Sequence, residues 1–124
     1  MRGSGRAHRL PRERRLSRSA DYRKVQAEGR RVVCGVLILN WLERPEAAGG
    51  RVGVIAGRRV GSAVVRNRAK RLLRETYRLW QRRLSKPADV VLVARKSIAG
   101  KTRREVERDF LRALKRAGLL EEEL

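Results

Sequence analysis

The sequence predicts an α+β fold, a two-layer α/β sandwich in which helices cover a small mixed sheet. Three observations carry that reading. Short apolar runs typical of strands alternate with stretches of 3.6-residue periodicity. Their order is helix, strand, strand, helix, strand, helix, with no internal repeat. The 124 residues fit a single domain. Leu, Ile, Val and Phe make up about a quarter of them, above the roughly 20% below which chains usually stay disordered.

Residues 1–15 are rich in Arg and poor in apolar side chains, and read as a flexible basic arm. Residues 16–118 read as the single folded domain. Ser17 or Ser19 supplies an N-cap for a first helix that ends near Glu28, with Gly29 as its stop. Tyr22 and Val25 share one of its faces. Residues 32–42 are β-branched and bulky, and predict one continuous strand. Glu43 to Gly50 contains Pro45 and Gly49-Gly50 and reads as a hairpin loop. Residues 51–57 then form a second strand, antiparallel to the first.

Ser62 is the expected N-cap of a long helix from Ala63 to about Leu84, which Lys86-Pro87 ends. Ala88–Ala94 is almost uninterruptedly apolar and reads as a buried strand. Thr102 and Glu105 form a capping-box pattern. The helix they open buries Val106, Phe110, Ala113, Leu114 and Ala117 as one stripe, and Gly118 stops it. Residues 119–124 form an acidic tail.

The chain carries 33 Lys+Arg against 13 Asp+Glu, a formal net charge of +20. So large a charge repels itself in the compact state and calls for an acidic partner. The longest apolar run is far short of the roughly 20 residues that span a bilayer, so no membrane segment is expected. One cysteine, Cys34, excludes an internal disulfide and suits a reducing, cytoplasmic setting. Cys34 itself reads as a small buried hydrophobe.

Enzyme chemistry of the protein's own is poorly supplied. His8 is the only histidine, too few for a triad base set in the fold or for a zinc site. Asp21, Asp89 and Asp109 are far apart in sequence. The glycine-bearing stretch Ala56–Ser62 lacks the spacing of a phosphate loop. Any catalysis therefore belongs to a partner.

The long helix is the informative element. From Arg58 to Arg83 there are ten basic residues and one acid, Glu75. Val65, Ala69, Leu72, Leu73, Thr76, Leu79 and Trp80 fall on one face. Arg66, Lys70, Arg74 and Arg78 recur opposite, at i+4 intervals. A merely solvated face would mix acids among the bases, so an anionic polymer is the expected ligand. Arg outnumbers Lys, and its planar fork suits phosphate oxygens. Only five aromatics are present, Tyr22, Trp41, Tyr77, Trp80 and Phe110. Binding is therefore expected to run mainly through phosphate and sugar, with Asn67 able to reach a base or 2′-OH.

The run from Arg58-Arg59 through Arg66-Asn67-Arg68, Lys70-Arg71 and Arg74-Glu75 resembles the bacterial ribonuclease P protein family. The resemblance extends over about residues 14–117, through Leu16 to Val25, Gly29, Arg51–Gly53 and Val90–Arg95. It implies a fold akin to a domain of a ribosomal small-subunit protein, with a left-handed β-α-β crossover around the basic helix. General rules favour the right-handed crossover. It also implies two partners, a catalytic RNA and precursor tRNA, with no obligate protein partner. The RNA subunit would hold the Mg²⁺ ions and cut the 5′ leader. Arg66, Asn67, Arg68, Lys70, Arg71 and Arg74 would then face the catalytic RNA, with Arg58 and Arg59 as companions.

In the family, the leader cleft lies between the first helix and the sheet. Tyr22 matches an aromatic position there. Gln26 and Asn40 stand where aromatics can occur, which implies a more polar cleft. Val36 and Ile38 share Asn40's strand face by alternation, and so are expected to line the cleft. The competing reading is a non-enzymatic ribosomal or ribosome-assembly RNA-binding protein. A DNA-binding architectural protein is disfavoured by the lack of a groove-reading motif.

Overall fold

The computed structural model describes residues 11–44 and 49–121. Most of the basic arm with His8, the middle of the expected 43–50 loop and the last three residues lie outside that set. Within it, the order is α1 (Ser19–Glu28), β1 (Arg30–Cys34), β2 (Leu37–Glu43), β3 (Arg51–Ile55), α2 (Ala63–Trp80), β4 (Ala88–Ala94) and α3 (Arg103–Ala117). The architecture is α+β, as expected.

The apolar run at 32–42 is two strands rather than one. Gly35 adopts φ +57, and Cys34 pairs with Leu37 across a two-residue turn. Positive φ at only the first central residue is the pattern of a type II′ hairpin turn, where Gly carries no Cβ penalty. Hydrophobicity alone hides this break, because Cys34, Val36 and Leu37 on either side of Gly35 are all buried.

The sheet order is β1-β2-β4-β3. The expected antiparallel pairing of β2 with β3 does not occur. β4 lies between them, antiparallel to β2 and parallel to β3. Burial explains the insertion. Six of the seven β4 residues are buried, including Val90, Val91 and Leu92 at 0% exposure, and only a central strand covered on both faces accommodates such a run. α2 makes the crossover between the parallel strands.

Side chains alternate across the sheet. Leu37, Leu39 and Trp41 of β2, with Val52, Val54, Val90 and Leu92, join the main core under α2 and α3. From the helices come Ala69, Leu72, Leu73, Tyr77, Val106, Phe110, Ala113 and Leu114. Burying a Leu or Phe side chain contributes about 1.5–3 kcal/mol relative to exposure. Tyr77 is a core residue that the helical wheel missed, and Leu79, expected on the core face, is 45% exposed.

α1 is on the other side of the sheet from α2 and α3. Leu16, Val25 and Val91 form a second small core there, with Tyr22, Leu42, Ile55 and Val93 packed against it. The Tyr22 ring lies over Gly53, where a Cβ would come within 2.5 Å of Cζ. A side chain at residue 53 would push Tyr22 off the sheet.

Caps and ends differ in detail. Ser62 Oγ accepts the Val65 N–H at 3.4 Å, and Thr102 Oγ1 accepts that of Glu105 at 3.2 Å, as expected. Ser19 is instead the first residue of α1, and its N-cap, Arg18, makes no side-chain cap bond. α2 stops at Trp80 and a 3-10 turn follows, Gln81–Arg83. Arg12–Arg14, inside the supposed arm, also form a 3-10 turn, and Arg15 bridges Val52. At the far end, Leu119 is fully buried and Leu120 bridges Leu84, so the core continues into the expected tail.

Candidate nucleic-acid interface

Two surfaces meet at one turn. The first is the outer face of α2. Its apolar stripe faces the sheet, so its remaining residues face solvent. Asn67, Arg71 and Arg74 are exposed, and Arg66 and Lys70 are half-buried. Like charges at i+4 oppose the isolated helix, so packing of the other face and any bound anion must hold it.

Two arginines on this helix stand apart. Arg68 turns aside and donates from Nη2 to the Lys101 carbonyl at 2.9 Å, tying α2 to the loop before α3. Its fork has further N–H groups to offer. Arg66 has its Nε buried with no hydrogen-bond partner. A buried donor without an acceptor is unfavourable.

The second surface is the part of the sheet that α1 leaves uncovered. A groove of about 790 Å³ is floored by Ile38, Ile55 and Val93, and Arg58, Arg59, Arg95 and Lys96 also line it. Arg58 and Arg59 belong to a 3-10 turn, Arg58–Val60, that runs directly into α2. The same turn thus borders both surfaces.

The cleft residues named from the sequence divide. Tyr22 is half-buried over Gly53 and donates its hydroxyl to the Leu16 carbonyl at 3.4 Å. Gln26 is exposed one turn further along α1. Ile38 floors the groove, and Asn40 is on the same sheet face but 5% exposed. Val36 does not share that face. It occupies the hairpin turn, is 4% exposed and packs into the main core, because the turn breaks the alternation that a single strand would have kept. Arg95 and Lys96 were missed. They follow β4 in a 3-10 turn, Lys96–Ile98, and a basic pair ending a buried strand was the available signal.

A buried ion network braces this side of the sheet. Asp89, 5% exposed, receives Arg51 Nη2 at 2.7 Å and Nε at 3.0 Å, and Arg44 Nη1 at 3.3 Å. Arg51 also approaches Asp21 of α1 at 3.7 Å. The hydrogen bond to Asp89 is the main cause of a raised Arg51 pKa. Among the described residues, no group of three or more His, Cys, Asp or Glu could hold a metal ion. No described helix is long and apolar enough to cross a membrane.

A small α+β protein with a polycationic helix beside a basic, apolar-floored groove has the features by which nucleic-acid-binding proteins are recognised. Comparison with known proteins narrows that class. The ribonuclease P family model matches residues 10–118. The ribonuclease P protein component of Syntrophomonas wolfei is 36% identical over 110 residues, covering 89% of this chain and 92% of the relative. That of Gluconacetobacter diazotrophicus is 37% identical over 111 residues, covering 87% and 94%. Among solved structures, the RNase P protein of Staphylococcus aureus superposes with a TM-score of 0.78 at 22% identity, over 86% of this chain and 97% of that one. That of Thermotoga maritima gives 0.74 at 25% identity, over 82% and 98%. The chain belongs to the bacterial ribonuclease P protein family. It is thus a protein component of an endoribonuclease, and an RNA partner is implied.

Proposed function

We propose that the protein binds the catalytic RNA of ribonuclease P along α2 and holds the 5′ leader of precursor tRNA in the groove on the open sheet face. The observation that carries this reading is the outer face of α2, where Arg66, Asn67, Lys70, Arg71 and Arg74 face outward with Glu75 as the helix's only acid. Arg58 and Arg59, at the junction of the surfaces, would place the leader beside the catalytic RNA. Ile38, Ile55 and Val93 offer the leader an apolar floor, and Tyr22 and Gln26 mark the α1 side. Asn40 lies beneath that side and shapes the cleft from below. On this reading the Mg²⁺ ions of the cleavage belong to the RNA subunit, which supplies the metal-assisted hydrolysis. The protein's part is to lower the electrostatic cost of bringing two polyanions together.

The test is reconstitution. The purified protein is added to a bacterial ribonuclease P RNA and labelled precursor tRNA at low Mg²⁺. Cleavage at the mature 5′ end that requires both components supports the proposal. RNA binding without stimulated cleavage would overturn it in favour of a ribosome-associated role, to be checked by co-sedimentation with ribosomal particles.

A further inference from the structure

α3 carries a second cationic track that the proposed function does not use. Arg104, Arg108, Arg112 and Arg116 recur at i, i+4, i+8 and i+12, and all four are exposed. Four residues of helix rise about 6 Å, comparable to the distance between neighbouring phosphates along one RNA strand. A shallow groove of about 440 Å³ follows the same face, with Arg104, Arg108, Arg112 and Lys115 around Leu111 and Leu120, and with Glu107 as its one acidic lining residue.

The acids of α3 do not neutralise this track. Asp109 is buried and accepts the Val36 N–H. Glu107 accepts the Trp80 indole N–H at 2.7 Å and pairs with Arg103 at 3.6 Å. Glu105 is half-buried in the first turn, where the helix dipole favours it. Arg104, Arg108 and Arg112 have no hydrogen bond or ion pair with a described residue. Arg116 donates to the Val33 carbonyl at 3.2 Å, carrying the track to the β1 edge.

The arrangement works against the isolated helix. Three like-charge i, i+4 pairs repel, and Arg103 and Arg104 sit at the positive end of the dipole. Among the described residues no hydrogen bond or ion pair holds Arg104, Arg108 or Arg112, whereas a row of phosphates would engage all three. We propose that the outer face of α3 is a second RNA site, which takes the phosphate backbone of a duplex segment distinct from the one on α2. This rests on the reading of the chain as an RNA binder, not on the role given to α2. A duplex is the fitting occupant because the track offers bases nothing to stack on. Phe110 of α3 is buried, and Trp80 is half-buried, with its N–H committed to Glu107 and Arg83 over its ring at 5.8 Å. A lipid surface is disfavoured because the apolar stripe of α3 is spent in the core.

The experiment titrates the full chain with a mixed-sequence RNA duplex two helical turns long, over a series of salt concentrations. In the triple variant Arg104→Gln, Arg108→Gln, Arg112→Gln, the log–log salt slope should fall by about 2–3, at about 0.9 per lost phosphate contact, with affinity down about tenfold or more. The matching triple Lys variant should restore the slope. If the Gln variant melts early, the single variant Arg108→Gln should still lower the slope by about 1. An Arg71→Gln, Arg74→Gln variant, titrated in parallel, should keep the α3 contribution to duplex binding. If it loses all duplex binding while the α3 variant loses none, the α3 site is wrong and the α2 assignment stands. Loss of binding to phosphatidylglycerol vesicles, with duplex binding unchanged, would also overturn the proposal.

Discussion

The Asp109 carboxylate accepts the Val36 backbone N–H at 3.0 Å, a contact 73 residues apart in sequence. It fastens α3 to the β1–β2 hairpin turn, and it occupies the space that a Cβ on Gly35 would need. Asp109→Ala should therefore destabilise the fold by about 2–3 kcal/mol, the worth of a buried charge-assisted bond. Gly35→Ala should cost at least as much, because it adds left-handed backbone strain. Urea melts of both variants check this. A loss below about 0.5 kcal/mol in each would show that the turn does not depend on the contact.

Asp89 and Arg51 form a two-bond pair in which the acid is the buried partner. Removing the base therefore does more harm than its exposure suggests. Arg51→Met should destabilise by about 2 kcal/mol or more, since the carboxylate keeps only Arg44. A double variant, Arg51→Met with Asp89→Leu, should recover part of the loss. Thermal melts of the cycle would show the recovery.

Tyr77 brings a pH dependence. Its hydroxyl is buried without a hydrogen-bond partner, and burial is the main reason its pKa is pushed up to about 12 from 10.0. The unfolded chain releases this proton near 10 and the folded chain near 12. The stability contribution is therefore complete below pH 10 and is lost as pH rises through that window. Relative to wild type, Tyr77→Phe should flatten the alkaline loss. It should also be neutral or stabilising by up to about 1 kcal/mol at pH 7, because it removes an unpaired buried hydroxyl. Equal alkaline slopes for the two proteins would contradict this account.

Arg66 and Arg68 should separate binding from stability. Arg66→Met removes an unsatisfied buried donor, so stability should hold or rise by up to about 1 kcal/mol while affinity for ribonuclease P RNA falls. Arg68→Met breaks the bond to Lys101, so stability should fall by about 1 kcal/mol along with affinity. Parallel melts and filter-binding titrations decide whether the two residues differ in this way.

The groove predicts a substrate-side phenotype. Tyr22→Ala and Ile38→Glu should weaken binding of leader-bearing precursor tRNA about tenfold, the scale of one lost stacking or apolar contact. Affinity for mature tRNA and for the catalytic RNA should change little. Equal losses on all three RNAs would place the leader elsewhere.

The parts of the fold legible in the sequence were those with one dominant cause. β4 was legible because burial on both faces leaves a nearly unbroken apolar run. α2 and α3 were legible because Ser62 and Thr102 cap helices with a clear stripe. The hairpin at Gly35 was not, since one glycine in an apolar run marks a turn only through its φ. The pairing of β3 was not legible either, because sequence neighbours are the default partners and the reason for the exception, β4, lies more than thirty residues further on. The α2 site was readable as a charge pattern. The groove was not, because Ile38, Ile55 and Val93 converge only once the strand order is known. Tyr77 was missed because its phenol tip reads as polar while its ring fills the core.

The late insertion of β4 into the centre of the sheet bears on synthesis. A ribosome delivers β1, β2 and β3 before the strand that joins β2 to β3 exists. Until Ala94 has cleared the exit tunnel, the nascent chain holds at most a hairpin and an unpartnered strand. The basic helix α2 also emerges ahead of the sheet it packs on. The sandwich therefore closes late and cooperatively, and a chain arrested before residue 88 would leave its arginines displayed on an unfolded polycation amid ribosomal RNA.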